Sequence, residues 1–168
     1  DNKELKILEC SKCQLVSLSS FDHIGNNFYG SSQGHDDSSQ DIESWLKECE
    51  TDDDRRANYL SQFIKNKSIL DFGCGAGGLL IRLKKKSPDL YGVEPELRLK
   101  KHFTDHGLTV LSIESLQRIK IKFDYITLFH VLEHIKDPVS ILSTLSNMLN
   151  DNGKIIIEVP NSQEALIC

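Results

Sequence analysis

Two kinds of side chain in this sequence are spaced for chemistry: carboxylates beside glycines, and histidines beside a carboxylate. Asp71-Phe72-Gly73-Cys74-Gly75-Ala76-Gly77-Gly78 sets four glycines within six positions just after an acid. Glycine in such a stretch lets the backbone turn tightly and lets a ligand approach with no Cβ in the way. A second acid, Glu94, follows about 20 residues beyond the glycines, ahead of Pro95. His130, Glu133 and His134 form a third group, with spacings of three and four along the chain. Near the start, Cys10 and Cys13 stand as a C-x-x-C pair.

The glycine stretch admits more than one ligand. Gly73, Gly75 and Gly78 satisfy the G-x-G-x-x-G pattern of dinucleotide sites. A tight turn holding no ligand is the plain alternative. Charge separates the ligands. A nicotinamide dinucleotide would rest its diphosphate over the loop and against a helix N-terminus. Asp71 would then face it, and two like charges a few ångströms apart in a cleft repel by about 1–4 kcal/mol. S-adenosylmethionine carries a sulfonium and an ammonium group and no phosphate, so for that ligand the carboxylate is favourable. Glu94 suits either nucleoside, because an acid at the end of a second strand can accept hydrogen bonds from both ribose hydroxyls. It could equally be a surface acid or a helix N-terminal acid ahead of Pro95.

These residues need a scaffold, and the apolar pattern supplies one. Ser68-Ile69-Leu70-Asp71-Phe72 reads as a buried strand running into the glycines, and Ala76 to Lys86 as a helix with Leu79, Leu80 and Leu83 inward. Its last turn carries three lysines, favoured by the helix dipole, and Pro88 ends it. Leu90 to Val93, Thr109 to Ser112, Phe123 to Phe129 and Lys154 to Val159 read as further strands. Helices are expected over 53–65, where Ala57, Leu60, Phe63 and Ile64 share a face, and over about 95–106. Another begins at Asp137-Pro138, an N-cap with proline at the first helical position, and uses Val139, Leu142, Leu145 and Leu149 as its stripe before Asn152-Gly153 ends it. Strand and helix alternate from 68 to 160, which predicts an α/β fold: a doubly wound, mainly parallel Rossmann-like sheet. The first 20 residues predict two short β segments, and the Gly/Ser/Asn/Asp-rich stretch from Phe21 to about Gln40 a loop.

Composition narrows the class. The chain has 168 residues, 27% charged and 39% hydrophobic, with 25 acidic against 20 basic side chains and a net charge of -5. One domain of this length buries a substantial core. The charge gives no footprint for nucleic acid or an anionic membrane, and no apolar run approaches the roughly 18 residues of a membrane span. Five cysteines, at 10, 13, 49, 74 and 168, do not form a disulfide framework, and a cytoplasmic location is expected.

At this point the sequence resembles the class I S-adenosylmethionine-dependent methyltransferases. Ile69 to Gly77 is similar to their motif I, and Tyr91-Gly92-Val93-Glu94-Pro95 to their acidic second motif. Phe123 to Thr127, with His130-Val131-Leu132-Glu133-His134-Ile135-Lys136-Asp137-Pro138, resembles the fourth-strand segment of a subgroup that includes ubiquinone-type O-methyltransferases and sugar methyltransferases. Leu149 to Ile157 is similar to the fifth-strand motif. The resemblance covers about residues 53–162 and implies a sheet of order 3-2-1-4-5 without the two antiparallel strands that complete it in relatives, so the chain reads as truncated at the C-terminus. It divides the chain into an extension at 1–50 and a cofactor-binding domain at 51–168.

The resemblance also implies roles. Asp71 and the loop Gly73, Cys74, Gly75, Ala76 and Gly77 would hold the methionine part of S-adenosylmethionine. Glu94 would take the ribose, with Pro95 against the adenine. Ile113 and Glu114 fall where relatives contact the adenine ring, and Phe129 and His130 would flank the methyl donor.

Methyl transfer is a direct displacement, so an enzyme mainly aligns and desolvates the pair, adding a base when the acceptor is a hydroxyl or a carbon acid. His130, Glu133 and His134 are the candidates for that base, since they follow the fourth strand at the carboxyl edge of the sheet, where open α/β folds bind ligands. Capping or bracing the loop is the structural alternative. A divalent-metal role, as in some relatives, is a third, although His130 is a poor ligand for magnesium. The amino-methylating DNA enzymes carry an Asp/Asn-Pro-Pro-aromatic segment that this chain lacks, which favours a small-molecule acceptor. Cys10 and Cys13 have the spacing of half a zinc site, resembling the ribbon ahead of some sugar C-methyltransferases; a redox pair and two incidental cysteines are the alternatives.

Overall fold

The structure, a computed structural model, describes residues 5–20, 41–87, 89–116 and 118–161. The loop expected over 21–40 and Cys168 lie outside the described residues.

Apolar runs bounded by glycine and proline become the strands of a parallel sheet. β3 (Ile69–Phe72) is buried at all four positions, as befits a strand covered on both faces. It pairs in parallel with β4 (Leu90–Val93) on one side and with β6 (Phe123–Phe129) on the other. β5 (Thr109–Leu111) and β7 (Leu149–Glu158) form the edges, giving the order β5-β4-β3-β6-β7. Counted from β3, this is the expected 3-2-1-4-5. The order reverses beside β3, so the carboxyl ends of β3, β4 and β6 open on a crevice where such sheets bind ligands.

Side-chain alternation sends successive residues of β3 to opposite faces. Leu70 and Phe72 join Val93, Phe123, Ile126, Leu128 and Leu145 in one core cluster. Ile69 joins Ala57, Leu60, Ile64, Leu79 and Leu83 in the other. The second cluster is covered by α2 (Glu50–Leu60) and α3 (Gly78–Leu83). By alternation Asp71 falls on the same face as Ile69. The remaining helices are α1 (Ile42–Glu48), α4 (Lys100–Asp105), α5 (Ile113–Leu116) and α6 (Pro138–Ser146), with single 3₁₀ turns at Leu97–Leu99 and Leu132–His134.

Several boundaries differ from the sequence reading, for local reasons. The helix expected over 53–65 begins at Glu50 and ends at Leu60, and α1 precedes it. α3 starts only at Gly78, because Gly73, Gly75 and Gly77 all hold positive φ and keep the chain out of the helical region. α6 stops at Ser146, and Leu149 belongs to β7 rather than to a helical stripe. Val139 is 76% exposed, and from α6 it is Ile141 and Leu145 that pack into the core cluster. Asn152-Gly153 lies within β7, where the pairing jumps from Phe123↔Leu149 to Tyr125↔Lys154. Asn152 takes φ +65 there, so these turn residues build a bulge and not a helix end.

Residues 5–20 form an antiparallel hairpin of β1 (Ile7–Glu9) and β2 (Val16–Leu18). Cys10 and Cys13 sit in its turn, both exposed. Gln14 takes φ +62 and donates its N–H to Cys10 O at 2.8 Å.

Candidate functional site

The crevice above β3, β4 and β6 is a cavity of about 1000 Å³. That is the upper end of the range for sites that hold one drug-sized ligand, roughly 300–1,000 Å³. Its floor is the glycine loop. Gly73 N–H and Cys74 N–H both donate to Val93 O, at 2.8 and 3.1 Å, which ties the loop to the end of β4. Gly73 adopts φ +79 with Val131 packed against it, and a Cβ there would lie 2.4 Å from Val131 Cγ2. Only glycine fits.

Asp71 stands at the centre of the floor, 4% exposed, with Oδ1 accepting from Thr127 Oγ1 at 2.7 Å. Burial pushes its carboxyl from the ordinary 3.8 up to about 6; the Thr127 hydroxyl pulls the other way, while Asp53 and Glu94 add to the rise and Arg56 opposes it. The carboxylate is therefore poised for a cationic ligand and hostile to an anionic one. Glu94 stands at the wall, also raised by burial. Its two oxygens accept from Gly75 N–H and Glu96 N–H, both at 3.0 Å, so Glu94 links the glycine loop to the turn after β4. Cys74 lines the floor with its thiol pushed up by burial, and as a neutral group it is inert.

Of the residues singled out in the sequence, Asp71, Gly73, Cys74, Gly75, Ala76, Glu94, Pro95, Ile113, Phe129, His130 and His134 line the cavity. Gly77 does not. It precedes α3 at φ +78 and backs onto Leu108 and Phe103, so it shapes the loop from behind. Glu114 is exposed at the start of α5, outside the cavity lining, and its own N–H and Ser112 hold its carboxyl below the usual range. Glu133 lies beside the cavity rather than in its lining.

The stretch after β6 is not a regular helix. His130 takes φ +54, a left-handed conformation that non-glycine residues seldom adopt, and the 3₁₀ turn follows it. This twist brings His130 between two acids. Its Nδ1 lies 3.3 Å from Glu133 Oε1, and its Nε2 lies 3.3 Å from Glu158 Oε1. Glu158 also takes Arg55 at 2.9 Å and Arg56 at 2.5 Å, and these guanidiniums, Arg55 first, hold its carboxyl down to about 2. His134 Nε2 is 4.0 Å from Glu133 Oε1, and Glu133 Oε2 is buried with no hydrogen bond among the described residues. No group of three or more His, Cys, Asp or Glu among the described residues is arranged to hold a metal ion.

The sequence reading missed the far wall. Trp45, Leu46, Glu48 and Cys49 from α1 and its end, with Asp52, Asp53 and Arg56 from α2, all face the cavity. Asp53, buried and raised by that burial, lies over the start of α3 with Arg82 Nη1 at 3.7 Å. Arg56 stacks over Phe129 at 5.0 Å. A signal existed: Asp53, Arg56, Ala57 and Leu60 share the inward face of α2, and two charges on an apolar stripe mark a helix that lines a site.

Comparison with known proteins agrees with this geometry. The methyltransferase-domain family matches residues 43–166. A tRNA U34 carboxymethyltransferase of Aliarcobacter butzleri is 32% identical over 104 residues, covering 56% of this chain and 34% of that protein. A ubiquinone biosynthesis O-methyltransferase of Actinobacillus pleuropneumoniae is 30% identical over 122 residues, covering 63% of this chain and 52% of the relative. The chain thus spans about a third to a half of these relatives. Among solved structures, a SAM-dependent methyltransferase of Thermotoga maritima, described as a possible histamine N-methyltransferase, superposes with TM-score 0.59 at 20% identity, over 74% of this chain and 59% of its own. The plantazolicin methyltransferase BpumL, solved with SAH, gives 0.58 at 22%, over 77% and 56%. With the sheet order and the match over 43–166 in agreement, the chain belongs to the class I S-adenosylmethionine-dependent methyltransferase family.

Proposed function

We propose that this chain binds S-adenosylmethionine in the cavity and transfers its methyl group to a small-molecule acceptor. The observation that carries this reading is the buried Asp71 carboxylate under the glycine loop, with Glu94 beside it. Two acids in one low-dielectric crevice attract a sulfonium and an ammonium and repel a diphosphate. Asp71 takes the methionine end, Glu94 the ribose hydroxyls, and Pro95 and Ile113 the adenine side. Arg56, the guanidinium in the lining, held by Glu158 through Nε and Nη2, is the counter-charge offered to the cofactor's carboxylate.

The acceptor enters between α1–α2 and the segment after β6, beside Phe129, His130, His134, Ile135 and Ile141. His130 is the proton acceptor when the acceptor is a hydroxyl: its ring lies between Glu133 at Nδ1 and Glu158 at Nε2, both at 3.3 Å, and Nε2 takes the proton when the acceptor hydroxyl displaces it from Glu158. Glu133 orients it, and His134 flanks it. On the α1–α2 side the lining carries Glu48, Asp52 and Asp53 against the guanidinium of Arg56, an acidic entrance that favours a small molecule over a nucleic acid backbone.

At the hairpin, backbone N–H groups of Lys12 and Cys13 point at the Cys10 sulfur and hold its thiol below the usual range. That arrangement supports a zinc half-site at Cys10 and Cys13, with the remaining ligands supplied from elsewhere. Cys10, Cys13, Cys49 and Cys74 are free thiols, which supports a reducing, cytoplasmic location.

The test is a thermal-shift comparison of S-adenosylhomocysteine with NAD, followed by methyl-transfer assays against phenols, sugars, amines and unmodified tRNA. A ligand at 100 times its Kd stabilises the fold by about 2.7 kcal/mol. Stabilisation by NAD and none by S-adenosylhomocysteine would overturn the cofactor. Transfer to tRNA alone would overturn the acceptor class.

A further inference from the structure

α1 buries none of its residues, whereas α2 buries Asp53, Ala57 and Leu60. The hydrophobic core does not hold α1 in place. What α1 meets is the glycine loop: a Cβ on Gly75 would lie 3.1 Å from Trp45 Cζ2, so the indole packs directly on the bare backbone of Gly75. The Arg98 guanidinium lies 5.6 Å from the centre of the Trp45 ring. Arg98 Nε is paired with Glu96, whose side chain is 9% exposed. Glu96 N–H donates to Glu94 Oε1, and Glu94 Oε2 accepts from Gly75 N–H. The contacts close a ring: Gly75, Trp45, Arg98, Glu96, Glu94 and back to Gly75. Trp45, Gly75, Glu94, Pro95 and Glu96 all line the cavity.

We infer that Trp45 is a cofactor-binding residue, an indole wall held by Arg98 that closes the nucleoside end of the cavity and slows cofactor exchange. The inference rests on the cofactor assignment above. Gly75 is the hinge of the contact. It has φ +52 and no side chain, so a large flat ring can lie against the loop that carries the ligand. An indole is suited to that place, because the part of the ring that Gly75 and Arg98 leave open offers apolar area to the cofactor's nucleoside. Arg98 is a positioning residue: cation–π attraction fixes the ring, and Glu96 fixes Arg98.

Trp45 is the chain's one tryptophan, so its emission reports this wall alone. The experiment titrates S-adenosylhomocysteine into the native chain by calorimetry and by tryptophan fluorescence, and follows release of isotopically labelled S-adenosylhomocysteine from native and variant chains by rapid filtration. Native protein should bind with a clear change in emission. Trp45→Ala should weaken binding by tenfold or more, mainly through faster release. Trp45→Phe should recover most of the loss, and Arg98→Gln should give an intermediate loss with altered native emission. Circular dichroism checks that each variant is folded, and the phenylalanine variant keeps the test decisive if the alanine variant is not. Calorimetric binding with unchanged emission, together with wild-type affinity and release in the folded variants, would refute the clasp and leave the cofactor assignment intact. No calorimetric binding of S-adenosylhomocysteine to the native chain would overturn both.

Discussion

Replacing Asp71 by asparagine should stabilise the empty protein while disabling it. Burial raises the Asp71 carboxyl from 3.8 to about 6. Between those two values the folded chain retains a proton that the unfolded chain has released, so stability falls as pH rises through the window and stays lowered above it. Each pH unit between the two values is worth about 1.36 kcal/mol, so the whole penalty is about 3 kcal/mol at pH 8, with about half of it present at pH 5. Asparagine cannot ionise, yet it keeps an oxygen for the Thr127 hydroxyl. Urea denaturation without ligand should show Asp71→Asn more stable than native by up to about 3 kcal/mol at pH 8, with a smaller gain at pH 5. The same variant should lose S-adenosylhomocysteine affinity, because the ligand's ammonium no longer meets a charge. A second measurement checks the cause. Native Asp71 is about half protonated near pH 6, and a bound cation favours its ionised form. Calorimetry at pH 6 in buffers of different ionisation enthalpy should then report about half a proton released per ligand. A variant less stable than native at pH 8, or binding with no buffer dependence at pH 6, would refute the reasoning.

Three further outcomes follow from the same geometry. Thr127→Val removes the 2.7 Å hydrogen bond that pulls the Asp71 carboxyl down, so the proton release should move to higher pH and affinity at pH 7 should fall, measured by the same calorimetry. Gly73→Ala places a Cβ 2.4 Å from Val131 Cγ2 at φ +79; it should cost about 1–3 kcal/mol in urea denaturation, and Val131→Ala in the same chain should recover part of it. Glu158→Gln removes the acid that holds Arg55, Arg56 and His130. Because Glu158 is held at about 2, it contributes stability above its ordinary 4.5 that is lost as pH falls toward 2. The variant should therefore melt below native at pH 7, and the gap should narrow under acid.

The strands β3, β4 and β6 and the floor of the site were legible in the sequence, while the order of the sheet came only with the family resemblance. Strand and glycine signals are local. A four-residue apolar run ending in Asp71 and a glycine stretch declare their conformation without reference to distant residues, and the acid's charge already favours a cationic nucleoside. Helix ends were less legible: Asn152-Gly153 has the composition of a stop, and only pairing with β6 turns it into a bulge within β7. The far wall was missed although Ile42, Trp45, Leu46 and Cys49 stand at i, i+3, i+4 and i+7, an apolar stripe. What the stripe covers is not written in it, since the place of α1 over Gly75 depends on an indole meeting a glycine 30 positions away. The charge state of Asp71 was likewise decided in three dimensions, since it follows from burial and from Thr127, Asp53, Arg56 and Glu94, which the fold brings around it. So was the setting of His130, where two acids separated by 25 residues of chain converge because β7 returns alongside β6. Residue type fixed which groups could act; only packing fixed what each one faces.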